Sequence, residues 1–194
     1  RKYLLHVLII SFVFLLAPSA HVTLHAGLLE DAKEEVRKNP DDAEARFNLG
    51  LAYGESGKYQ EAIESYKQAI KIDPDDAEAH NNLGNAYGDL GKYKKALKSY
   101  EQAIRIDPDY ADAHCNLGVA YHKSGKYKEA IESFKQALRL DPDFADVHYN
   151  LGCAYCGSED RGSALEQYKI LKKLDTEKAN NVSVQTYVCY FNAF

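Results

Sequence analysis

The chain has 194 residues, of which 45% are hydrophobic and 27% charged, proportions that suit a folded globular protein and exclude long disorder. With 24 Lys and Arg against 29 Asp and Glu the net charge is -5, so no basic field attracts a phosphate backbone and nucleic acid is excluded as a partner. Four cysteines are too few for a disulfide scaffold, and their spacing fits neither a zinc ribbon nor a zinc finger, so no metal and no cofactor are expected.

Residues 1–20 open on Arg1-Lys2, run through an apolar stretch from Val7 to Ala17 and leave on Pro18-Ser19-Ala20. A basic start, a short apolar core and a small-residue exit describe a secretory signal peptide, and the core is too short for an ordinary membrane span. Residues 1–26 are therefore expected to be a signal peptide or an apolar anchor segment, with the protein exported to a periplasmic or extracellular space. Membrane contact is expected only if the segment stays uncleaved and anchors through residues 3–17; a further reading buries it in an assembly. Next, Leu28, Leu29, Ala32 and Val36 lie at helical spacing before Pro40, which makes residues 27–42 a leading half-repeat with its helix over 28–39. The partner helix of that half-repeat would fall on about residues 9–21.

Four of the five prolines, Pro40, Pro74, Pro108 and Pro142, recur at intervals of 34 residues. Cutting at that period gives blocks 43–76, 77–110, 111–144 and 145–178, which align without a gap. Counting within each block, position 8 is Gly50, Gly84, Gly118 and Gly152, position 11 is Tyr53, Tyr87, Tyr121 and Tyr155, and position 20 is Ala62, Ala96, Ala130 and Ala164. Positions 3, 7, 10 and 11 fall on one arc of a helical wheel and positions 17, 20, 21, 24, 27 and 28 on a second, so each block predicts two amphipathic helices. A Gly-Lys-Tyr sequence (Gly57, Gly91 and Gly125) stops the first helix, and Asp-Pro-Asp marks the turn into the next block. Small residues at positions 8, 20 and 27 let the helices approach closely.

The fourth block departs from the pattern with Glu159 for Gly, Arg161 for Tyr, Leu171 for Ala and Thr176 for Pro, as a terminal repeat does. Residues 179–194 carry no charge and are rich in Val, Tyr and Phe, which makes this apolar tail a contact surface or a worn terminus. Asn181-Val182-Ser183 is a glycosylation sequon, meaningful only in a glycosylating secretory host.

Taken together, the blocks resemble the tetratricopeptide repeat, which has this period and this pattern of Leu, Gly, Tyr and Ala. The resemblance implies an all-α fold, a right-handed α-solenoid of helix-turn-helix repeats with a concave groove. It also implies a noncatalytic protein-interaction scaffold with a protein or peptide partner. In the family the groove is lined by positions 2, 5, 6, 9, 12 and 13 of the first helix. Position 6 holds Asn48, Asn82, Asn116 and Asn150, a column of amides that can donate and accept along an extended peptide backbone, or can simply be solvated. Phe47, Asn81, Asn85, Tyr149 and His122 complete the candidate groove residues. Position 2 is acidic throughout (Glu44, Glu78, Asp112 and Asp146), unlike the basic clamp of adaptors that hold acidic tails, so a neutral or basic extended ligand is expected.

Cys153 and Cys156 share a helix face but lack the following His of a haem site, and with His122 they would supply only three metal ligands; incidental groove or packing roles are expected. His80, His114 and His148, all at position 4, are expected to pack at a helix edge. The alternative function is a self-assembling, fibre-forming homo-oligomer joined end to end through the apolar termini.

Overall fold

Alternating apolar arcs and turn signals produce helices throughout. The computed structural model describes residues 18–174, with side-chain surroundings from residue 27 onward. The described residues form nine helices: α1 (Pro18–Lys38), α2 (Ala43–Glu55), α3 (Tyr59–Ile72), α4 (Ala77–Asp89), α5 (Tyr93–Ile106), α6 (Ala111–Lys123), α7 (Tyr127–Leu140), α8 (Ala145–Gly157) and α9 (Arg161–Leu174). They are divided into two compact units between Pro74 and Asp75. The apolar stretch before Pro18, the tail at 179–194 and Asn181 lie outside the described residues.

In the first unit, Leu29 of α1 is buried against Leu49 and Ala52 of α2, with Ala32, Val36 and Tyr53 packed around them. Where the sequence pattern suggests one helix over about 9–21 and another over 28–39, a single helix runs from Pro18 to Lys38. Nothing interrupts it: no Gly-Lys-Tyr stop occurs there, and Gly27 is absent from the glycines with positive φ. Pro18 suits the first helical position because its missing N–H would be unpaired there in any case. None of the described helices is long and apolar enough to cross a membrane.

Within each of the first three repeats a glycine seats a ring. A Cβ on Gly50, Gly84 or Gly118 would lie 2.5, 2.5 and 2.6 Å from Tyr66, Tyr100 and Phe134 respectively. Only glycine permits that approach, so each of these three helix pairs is locked by one buried aromatic. The turn between paired helices repeats as well. Lys58, Lys92 and Lys126 N–H groups return to the carbonyls of Tyr53, Tyr87 and Tyr121 at 2.8–2.9 Å, across glycines at φ 69, 68 and 73°. This is the six-to-one closure of a helix end by a left-handed residue.

Position 4 does more than pack. Arg46 donates to the Pro40 carbonyl at 2.9 and 3.0 Å, and the Nε2 atoms of His114 and His148 sit 3.0 and 2.9 Å from the carbonyls of Pro108 and Pro142. A long or heteroaromatic side chain one turn into the helix thereby ties down the proline carbonyl of the preceding turn, Asn-Pro-Asp before α2 and Asp-Pro-Asp before α6 and α8.

Candidate functional site

Helices α4, α6 and α8 carry the amide column of the second unit, and cross-repeat hydrogen bonds set its orientation. Asn81 is buried at 4% exposure; its amide nitrogen reaches the Tyr110 hydroxyl at 3.5 Å, and its carbonyl oxygen accepts from Asn116 at 3.0 Å. Position 5 of one repeat thus holds position 6 of the next. The same tie recurs one repeat on, where Asn150 hydrogen-bonds the Cys115 sulfur. Burial, reinforced by Asp112 and Asp146, pushes the Cys115 thiol up to about 12, so it serves this tie as a neutral group.

A second chain of amides lies beside the first. The Tyr100 hydroxyl donates to Asn85 Oδ1 at 2.8 Å, Asn85 donates to Asn82 Oδ1 at 3.5 Å, and Asn82 donates to the Glu78 carbonyl at 3.0 Å. The ring that locks α4 to α5 under Gly84 therefore also aims a groove amide. Asn116 spends one N–H on Asn81; its carbonyl oxygen and other N–H have no partner among the described residues. A donor and an acceptor held side by side are what one peptide unit needs.

These groups border a recess of about 620 Å³ lined by Asn85, Gly88, Asp89, Tyr93, Tyr100, Asn116, Val119, Ala120 and Lys123. Tyr93, on α5, lies outside the groove positions expected from the sequence, whereas Asp89 and Lys123 occupy one of them without having been singled out by residue. Asp89 and Lys123 both stand at position 13, where the four blocks carry Glu55, Asp89, Lys123 and Gly157, so no recurring residue type marks the column.

The other candidates fall as follows. In the first unit Phe47 packs on Tyr66 with ring centroids 5.7 Å apart, and Asn48 is half-buried on α2. Tyr149 lies against Cys153, which together with burial raises its hydroxyl pKa. His122 meets Tyr127 edge-on at 5.4 Å and hydrogen-bonds the backbone of Cys153. Burial first, and then Lys123, lower its pKa against that bond, which favours a neutral ring. Among the described residues, no group of three or more His, Cys, Asp or Glu is placed to hold a metal ion.

Stacked helix pairs with an amide-lined face define an all-α solenoid, a class that presents surfaces to proteins and peptides. Comparison makes the assignment specific. A family model described as TPR repeat matches residues 53–91, 84–125 and 120–157, and another, described as Tetratricopeptide repeat, matches 32–64. The chain belongs to the tetratricopeptide repeat family. No curated protein sequence matches it. Among solved structures it is similar to MamA, with a TM-score of 0.73 and 29% identity over 80% of this chain and 91% of that one. It also shares its fold with YrrB, described as a TPR protein with an unusual peptide-binding site (TM-score 0.68, 22% identity, 85% of this chain and 86% of that one). A third likeness is TTC0263, a thermophilic TPR protein of Thermus thermophilus (TM-score 0.69, 24% identity, 90% and 100%).

Proposed function

We propose that this chain is a noncatalytic, exported interaction scaffold that holds an extended peptide segment of a partner protein against the amide face of α4 and α6. The observation that carries the reading is the tie from Asn81 to Asn116, which fixes one amide while leaving its acceptor and one donor unspent beside an open recess. Pre-orientation of this kind lowers the entropy lost when a ligand docks. The acidic residues at position 2, Glu78 and Asp112, are exposed and discourage an acidic tail. Export rests on the residue pattern of the first 20 positions, and N-terminal sequencing of the secreted fraction decides it.

The groove reading is tested with peptides selected on the full chain from a phage-displayed random dodecamer library. Replacing Asn116 with Ala should weaken their binding by about 1 kcal/mol for each hydrogen bond lost. Replacing Asn82 should do less, because its carbonyl oxygen and one N–H are already engaged within the network. Affinities unchanged by Asn116→Ala, with the fold intact by circular dichroism, would sink the reading.

A further inference from the structure

The recess beside Asn116 contains two charges of opposite sign that do not meet. Asp89 and Lys123 line it together, yet among the described residues neither has an ion-pair or hydrogen-bond partner. Some exposed charges elsewhere in the chain do pair, such as Lys67 with Glu64 at 2.9 Å and Lys135 with Glu132 at 3.3 Å, both one turn apart on a helix.

Asp89 is also poorly placed for stability. It is the last residue of α4, where the helix dipole opposes a negative charge, whereas Lys123 ends α6, where the dipole favours a positive one. Partial burial raises the Asp89 carboxyl pKa, with no cation to offset it. Besides its two amides, the recess is lined by apolar and aromatic side chains: Val119, Ala120 and the rings of Tyr93 and Tyr100. Such a wall suits the aliphatic stem of a long side chain whose charged head reaches water or a counter-ion.

We infer that this recess reads charge in the bound segment, taking a Lys or Arg side chain against Asp89 and an Asp or Glu side chain against Lys123 while Asn116 holds the backbone between them. The inference rests on the peptide-binding reading above and narrows it. The ligand class is an extended peptide that carries both signs of charge within a few residues. Uniformly acidic or uniformly apolar segments leave one head group of the recess desolvated and unpaired, which costs affinity.

The experiment sequences the dodecamers selected on the full chain and measures representative peptides by fluorescence anisotropy. Selected peptides are expected to combine a basic and an acidic residue. Asp89→Asn and Lys123→Gln should each weaken them about fivefold, the upper end for a solvent-accessible ion pair, and the loss should shrink at high salt. Asp89→Asn should not lower the melting temperature, because it relieves the unfavourable charge at the end of α4; a merely structural carboxylate would behave oppositely. Glu129→Gln, away from the recess, is the control and should change nothing. Peptides that lose affinity with Asn116→Ala but carry no charge pattern, or are indifferent to Asp89→Asn and Lys123→Gln, overturn the inference and leave the groove reading standing. A selection that yields no Asn116-dependent peptide overturns both.

Discussion

The second and fourth repeats share a turn but not a core. In the second, the Tyr100 ring fills the space over Gly84; in the fourth, the nearest atoms to a Cβ on Gly152 are Gln167 Cβ at 3.6 Å and the Ala164 carbonyl at 3.9 Å. Leu171 replaces the small residue of the earlier repeats and is buried at 1% exposure against Ala145, Tyr149 and Tyr168, so the ring that should cover Gly152 packs elsewhere. His148 compensates in part: it is buried and bridges Gln167 at 2.8 Å and the Pro142 carbonyl at 2.9 Å. The backbone closure nonetheless persists, with the Asp160 N–H returning to the Tyr155 carbonyl at 2.9 Å across Glu159 at φ 66°. Backbone geometry therefore survives the loss of the residue that favours it, whereas the aromatic lock depends on its side chains.

The contrast can be broken first at the glycines. Gly84→Ala should destabilise the second unit by about 2–3 kcal/mol, because the Tyr100 ring must leave a close-packed site. Gly152→Ala should be neutral or stabilise by up to about 1 kcal/mol through helix propensity alone. Urea unfolding of the two variants gives the comparison directly, and equal losses would refute the proposed difference in packing.

A smaller effect is expected at the turn. Glu159→Gly should stabilise by about 0.5–1 kcal/mol, since only glycine adopts a left-handed conformation without steric cost. Gly125→Ala, at the same place in the third repeat, should lose a similar amount; thermal melts should show shifts of opposite sign.

An effect confined to alkaline pH concerns Cys115. Its thiol is raised by burial from an ordinary value of 9.0 to about 12, so above pH 9 the unfolded chain gives up this proton first. Stability held below pH 9 is then lost as the pH climbs toward 12. Cys115→Ser should flatten that alkaline slope. At pH 8, a thiol reagent should label Cys153 and Cys156, which are partly exposed, well before Cys115.

Much of this was legible in the sequence because backbone events recur with fixed residue types. The prolines, Gly57, Gly91 and Gly125 and the small residues at positions 8 and 20 mark joints and contacts at the period at which they occur. The absence of Gly at position 15 of the last block pointed to Glu159 in the same way. The tie from Asn81 to Asn116 was less legible, because it depends on side-chain direction across neighbouring helices and recurs with a different partner, Cys115 with Asn150. Likewise Tyr110 takes the place of the capping Asp42 and Asp76 and reaches back to Asn81, a role no local helix signal encodes. Asp89 and Lys123 stand at position 13, which the family resemblance places in the groove, but a column of unlike residues (Glu55, Asp89, Lys123 and Gly157) carries no signal of the role of any one of them.

The central claim is that Asn116, held by Asn81, presents a free donor and acceptor to a peptide backbone. Side-chain amide resonances of 15N-labelled full-length chain, titrated with a selected dodecamer, test it most directly. The Asn116 amide should shift in proportion to occupancy while the buried Asn81 amide changes little; an Asn116 resonance that stays fixed as the peptide saturates the protein would contradict the account.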